Sequence, residues 1–204
     1  MQIPGARDRI RVFGFYSASI RREKAVKLAR EETIGPGYKV RWEVNNETIT
    51  FDIEANTTGY VGLGFNKNGS MTNADIVMGG VDDRDNSTYF YDMHAVGFSR
   101  PIEDEHQDYK LLNLTQLNGV TRLRFSRNLI TGDPQDTDIK LEDTYFIWAT
   151  GLSDNIGYHG GNRGKFAVNI LAHAKTTTSE QKRGKILRTF KSNKKHIIKE
   201  NKTI

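Results

Sequence analysis

From Tyr38 onward, apolar residues fall on alternate positions in short runs, and this two-residue period decides what the chain can become. In "YKVRWEV" the apolar set is Val40, Trp42 and Val44, and in "TITFDIEA" it is Ile49, Phe51 and Ile53. Successive side chains of a strand point to opposite faces, so each run has one face to bury. The intervening "NNE" is turn chemistry, which makes the pair a hairpin. The runs "GYVGLGF", "ADIVMGG", "TYFYDMH", "DYKLLNL", "GVTRLRFSR", "TYFIWATG" and "KFAVNIL" follow, each bounded by Gly, Asn, Asp or Ser. About nine short strands without a convincing helix predict an all-β fold, an antiparallel Ig-like β-sandwich with Greek-key connections. Val40, Trp42, Phe51, Leu63, Phe125 and Trp148 are the expected core.

The flanks read differently. "SASIRREKAVKLAREE" (residues 17–32) has helix formers but few apolar residues, which predicts a marginal helix ahead of the domain. "GPG" at Gly35–Gly37 punctuates the chain, and after Leu171 the pattern dissolves into a Lys-rich end. The predicted organisation is a basic N-terminal extension (1–36), one domain (37–172) and a basic C-terminal tail (173–204), with poorly ordered or weakly helical ends. Residues 38–172 carry 12 Lys/Arg against 19 Asp/Glu, whereas residues 173–204 carry 10 against 2. An acidic body with basic ends does not match a nucleic-acid-binding domain, whose basic residues belong on the folded surface. The ends read as solvated flanks rather than a binding arm.

The chain has no cysteine, which excludes disulfides, zinc–thiolate sites and iron–sulfur clusters. Asn-x-Ser/Thr sequons stand at Asn46, Asn56, Asn68, Asn86, Asn113 and Asn201. Chance at this composition gives about 2, so the excess points to a glycoprotein of the extracellular space or secretory-pathway lumen. Turn composition in an Asn/Thr-rich β-protein is the competing explanation. No clear signal peptide opens the chain, so the expected leader is absent from this sequence, and no segment has the length of a membrane span.

Two features carry possible chemistry. Met71 sits in the Gly/Asn-rich turn "NKNGSMTNAD", where small polar residues are usual. It is either an apolar plug over the end of a core or a soft sulfur ligand. Asp75 opens a strand and Asp108 precedes another. They are either turn and loop caps or half of an oxygen set for calcium or a similar hard cation. The acidic "VDDRD" reads as a solvated hairpin tip. No hydrolase motif, phosphate-cradling loop or HExxH is present.

Taken together, "GYVGLGFNKNGSMTNADIVMGG", "DEHQDYKLLN", "LRFSRNLITGDPQDTDIKLEDTYFIWATG" and "YHGGNRG" resemble the DOMON domain. The likeness is strongest to the N-terminal DOMON domain of the dopamine β-hydroxylase/monooxygenase-X family and covers about residues 37–172. It implies that two copper-binding catalytic domains, absent from this sequence, accompany the domain in full-length members. The five histidines include no adjacent pair and no His-x-His, so no copper is expected in this chain and no hydroxylase activity by the domain alone. The family's Thr-Cys-Asp-Pro stretch stands here as Thr131-Gly132-Asp133-Pro134, without the cysteine.

The resemblance further implies heme b, held for electron transfer between Met71 and His159 as axial ligands and served by a redox partner. Both residues lie in Gly-flanked loops that could converge at one end of a sandwich. Trp42, Phe65 and Trp148 are the expected apolar walls, and Arg163 the partner of a propionate. It implies a cation held by Asp75 and Asp108 with the backbone carbonyls of Ile76 and Met93. The other readings are a heme-free interaction or regulatory domain of a copper monooxygenase and, more remotely, a sugar-binding module.

Overall fold

The computed structural model describes residues 28–172, and these form two antiparallel sheets packed face to face with no helix. In chain order the strands are β1 (Leu28–Gly35), β2 (Tyr38–Asn45), β3 (Thr48–Ala55), β4 (Val61–Asn66), β5 (Asp75–Val81) and β6 (Thr88–His94). They continue with β7 (Ile102–Glu103), β8 (Lys110–Leu117), β9 (Val120–Asn128), β10 (Asp143–Thr150) and β11 (Arg163–Asn169). One sheet has the order β1-β2-β3-β9-β8 and the other β11-β10-β4-β5-β6-β7. The β8–β9 hairpin returns to lie against β3 and the β10–β11 hairpin against β4, so the chain changes sheets rather than winding round one. All nine predicted runs are strands, and the predicted sandwich is the observed one.

The core lies between the sheets. Val40, Trp42, Phe51, Leu63 and Phe125 are wholly buried and Trp148 nearly so. Phe51 stacks on Phe125 at 5.2 Å between centroids and meets Phe146 edge-on at 6.1 Å, geometries that suit the quadrupoles of the rings. The polar handles of the largest core aromatics have partners: Trp42 Nε1 donates to the Ile170 carbonyl at 3.0 Å and the Tyr38 hydroxyl to the Gly62 carbonyl at 2.8 Å.

The start of the domain corrects the sequence reading. Residues 28–32 are strand, not helix, because the ladder with β2 and the cover it gives outweigh a weak helical propensity. The rest of that predicted helix, like the tail 173–204, lies outside the described residues. β1 pairs with β2 from Leu28↔Val44 to Gly35↔Tyr38, and Pro36-Gly37, with Gly37 at φ +63°, is the turn of a hairpin rather than a domain boundary. The charged residues of β1 are used: the Arg30 guanidinium lies 4.9 Å from the Trp42 ring and donates to the Asn169 carbonyl at 2.7 Å. Ile34 is buried and its carbonyl accepts from Trp148 Nε1 at 2.9 Å. β7 is the other strand that the period-two reading omitted, too short at two residues to show alternation.

Gly35 tests whether β1 belongs to the domain, since a Cβ there would overlap the Trp148 ring. Gly35→Ala should lower stability by about 1–3 kcal/mol in urea unfolding, the usual cost of overpacking. If the domain began after Gly37 the substitution would leave the midpoint unchanged.

Candidate functional site

A second apolar cluster lies outside the core, on the outer face of the six-stranded sheet. Tyr60, Ala74, Ile76, Met78, Met93 and Ala95 are buried there, with Met71, Tyr89, Tyr91, Ile147 and Ile156 packed against them. Its origin is local: β5 reads "DIVMGGV", apolar at every phase except its first position, and all seven residues are buried. A strand with one solvated face would alternate; this one has both faces covered.

Met71 reaches this cluster half-buried, from the turn between β4 and β5. The turn is held by its own side chains. Asn66 Nδ2 donates to the Thr72 carbonyl at 3.1 Å, Asn66 Oδ1 accepts from the Asn68 N–H at 2.8 Å, and the Met71 carbonyl accepts from the Ala74 N–H at 3.0 Å.

His159 lies in the β10–β11 connection, and the register shows that this loop leaves the opposite end of the sheet. Asn66 stands across from Tyr145, whereas Val61 stands across from Thr150. The two ends are about 17 Å apart along β4 at a strand's usual rise. The expectation that both loops share one end of the sandwich is therefore wrong. The His159 loop instead folds back over the outer face, where the Tyr60 hydroxyl donates to the Gly157 carbonyl at 2.6 Å and Ile156 joins the cluster. His159 is half-buried, with Nδ1 3.3 Å from the Gly160 carbonyl, and Arg163 is exposed at the start of β11. The expected walls are also corrected: Trp42, Phe65 and Trp148 belong to the core between the sheets, on the far side of β4 and β10 from Met71. Residues of the opposite strand phase, among them Met78, Tyr89, Met93 and Ile147, make up with Met71 the cluster on the outer face instead.

The second site lies inside the sandwich at the end that carries Met71. Asp75 is buried and its carboxylate accepts from the Tyr109 hydroxyl at 2.8 Å, Arg127 at 2.7 Å and the Thr137 N–H at 2.8 Å. Arg127 comes from the other sheet, is itself buried, and also reaches Asp136 at 3.2 Å. Asp75, Asp92 and Asp136 offer one oxygen each within 4.8 Å of one another. Asp108, the expected partner of Asp75, is not in that trio. Its N–H donates to Asp92 Oδ2 at 2.9 Å, and its side chain is half-buried; burial raises the Asp136 pKa, and the charge of Asp108 adds to that. Ile76 and Met93 face each other across β5 and β6, next to Asp75 and Asp92 in sequence. Close by, His94 Nδ1 pairs with the buried Asp104.

The electrostatics are unbalanced. Burial pushes the Asp92 carboxyl up to about 8, helped by the charges of Asp75 and Asp136. Burial likewise lifts Asp75 to about 6 against the pull of Arg127. Asp92 Oδ1 and Asp136 Oδ1 are buried without a hydrogen-bond partner. A single guanidinium does not satisfy three buried carboxylates, which must take up protons or a cation.

Both carboxyls sit above the unfolded value of about 3.9, so the folded state binds the extra protons and stability falls as pH rises toward 8. Without added cations, the melting temperature should drop between pH 5 and 8.5, and Asp92→Asn should remove most of the slope. A melting temperature that rises with pH across this window would contradict the account.

A family model for the DOMON domain matches residues 35–151. DBH-like monooxygenase protein 1 of Gallus gallus is 35% identical over 146 residues, covering 70% of this chain and 24% of that protein. MOXD1 homolog 2 of Drosophila melanogaster is 39% identical over 109 residues, covering 52% of this chain and 14% of its own length. The chain thus spans about a quarter or less of these relatives. Among solved structures, the cytochrome domain of Myriococcum thermophilum cellobiose dehydrogenase superposes with a TM-score of 0.51 at 13% identity, covering 74% of this chain and 86% of that one. That likeness is one of fold. The two-sheet architecture and the match over residues 35–151 make this chain a member of the DOMON domain family, related to the DBH-like monooxygenases.

Proposed function

We propose that this chain is the ligand-binding module of a DBH-like protein and that it holds heme b on the outer face of the six-stranded sheet, for electron transfer. The observation that carries this reading is the second apolar cluster, with a thioether at one end and an imidazole-bearing loop folded over it from the other. Iron coordinated by thioether and imidazole is a one-electron carrier whose potential the thioether raises. A domain of the same fold serves a cellobiose dehydrogenase as its cytochrome domain.

The residues present fit the group chemically. An Nδ1–H directed at the Gly160 carbonyl leaves the lone pair of His159 on Nε2, the tautomer a metal needs. The apolar surroundings of Met71 exclude water from a weak sulfur ligand. Arg163, exposed at the start of β11 after the His159 loop, would pair with a propionate. Copper chemistry and hydroxylation would belong to other domains of a longer protein, or to a separate redox partner.

One observation favours a second reading, a heme-free interaction or regulatory domain. Ile147 and Tyr89 lie across Gly64 and Gly80 on the outer face, and a Cβ on Gly64 would stand 2.7 Å from Ile147 Cγ1. The chain's own side chains therefore already cover part of the surface that a macrocycle would use.

The aspartates form a separate proposed site for calcium or a similar hard cation. Asp75, Asp92 and Asp136 would supply carboxylates, Asp108 the adjacent charge, and Ile76 and Met93 the neighbouring carbonyls. A secretory-lumen or extracellular location, where calcium is abundant, suits this site. Among the described residues no helix is long and apolar enough to cross a membrane.

Reconstitution with hemin should give sharp Soret and α bands on reduction. Met71→His should keep the heme at a lower potential, and His159→Ala should lose most of it. Wild-type protein without these bands leaves the heme-free reading. Independently, calcium should raise the melting temperature at pH 8 by mass action on the folded state, and Asp108→Asn should reduce the gain. Indifference to both calcium and chelator would remove the cation site.

A further inference from the structure

The sequons are a sequence feature that neither proposed site uses. Five of the six lie in the described residues and all five asparagines are exposed. Asn46 and Asn86 occupy hairpin turns with φ of 54° and 59°. Asn68 Oδ1 is engaged by the Ser70 N–H at 2.9 Å, and the Asn56 amide packs against Gly37. Asn113 is different, because it stands within a strand.

That strand is β8, at the edge of the five-stranded sheet and, among the described residues, hydrogen-bonded on one side only. A free edge is a template for pairing with another chain, and proteins blunt it with charge, brevity or a bulge. The other three edges are managed in these ways. β1 carries Arg30, Glu31 and Glu32, β11 carries Arg163 and Lys165, and β7 is two residues long. β8, "KLLNLTQL", has one charge, at its first residue, and exposes Leu112 and Leu117 at 45% and 65%. Its register shift between Leu111 and Asn113 disturbs only the beginning of the ladder. Beyond it, Asn113 and Thr115 stand opposite Arg124 and Arg122, on the solvent face, with the buried Leu114 between them.

We propose that Asn113 carries an N-linked glycan and that this glycan covers the free edge of β8. In the transfer, Asn113 Nδ2 forms a bond to C1 of the first sugar of a lipid-diphosphate-linked oligosaccharide. The bond from C1 to the diphosphate oxygen breaks, the lipid diphosphate leaves, and the amide gives up one proton. Thr115 supplies the hydroxyl that the sequon requires. A bulky hydrated glycan in the middle of the strand does the work of the missing charges: a second copy cannot lay its own strand along β8. The proposal rests on passage of the chain through the secretory lumen and not on heme or cation binding.

The test is to secrete the 204-residue chain from cultured animal cells behind a cleavable signal peptide. Glycan release in heavy-oxygen water marks each used asparagine for mass spectrometry. Light scattering after size exclusion then gives the oligomeric state of wild type, N113Q, T115A and T115S, with N46Q and N86Q as controls. Asn113 should be occupied, N113Q and T115A should shift from monomer to larger species, and T115S should behave as wild type. An unmodified Asn113 overturns the proposal. N113Q and T115A proteins that stay monomeric like the controls overturn the role at the edge.

Discussion

The rest of the structure depends on the buried contact of Arg127 with Asp75. It joins β9 of one sheet to β5 of the other, with both side chains fully enclosed and the Tyr109 hydroxyl within 2.8 Å of each. Such a pair contributes little net stability once desolvation is counted, but losing one partner is expensive, about 3–5 kcal/mol. Its significance here is positional. One guanidinium is shared between Asp75 and Asp136, with Asp92 adjacent, so the end of the sandwich is short of positive charge. A bound proton or a hard cation makes up the difference, and either one ties the two sheets together at this end.

That end also carries Met71. The Met71 carbonyl accepts from Ala74, the residue before Asp75, so the inward carboxylate and the outward thioether are fixed by the same short turn. Occupation of the acidic site would therefore stiffen the backbone that presents Met71 to the outer face. The His159 loop is held over the face by other contacts: the Tyr60–Gly157 hydrogen bond, the Asp83 N–H donating to Asp154 Oδ2 at 2.9 Å, and the packing of Ile156. The two halves of the proposed heme site are thus differently built, one fixed by the acidic network and the other by loop hydrogen bonds and packing.

The sheet structure was legible in the sequence because period two is a strong signal wherever one face is buried. β1 was missed because its stabilisation comes from pairing and from the Arg30–Trp42 contact, neither of which has a local signature. The acidic site was only half legible. Asp75 and Asp108 stood out by motif, but Asp92 and Arg127 were overlooked although the alternation itself marks them. Arg127 continues the buried series Thr121, Leu123, Phe125, and Asp92 shares the inward phase of β6 with Phe90. A charged residue in an apolar phase implies a buried partner, and that rule applied strand by strand would have found both. Met71 and His159 were legible as residues but not as a geometry, since the loop ends follow from sheet order and only the fold supplies it.

The central claim, that Met71 ligates iron on the outer face, is tested most directly by the methionine methyl groups. The chain has four methionines: Met71, Met78 and Met93 belong to the outer cluster, and Met1 lies outside the described residues. With methyl-labelled methionine, adding heme and reducing it should drive one methyl resonance far upfield by the ring current. That resonance should be absent from Met71→Leu, while Met78 and Met93 shift less. A spectrum in which all four methyls keep their positions, or in which the upfield signal survives Met71→Leu, would contradict the account.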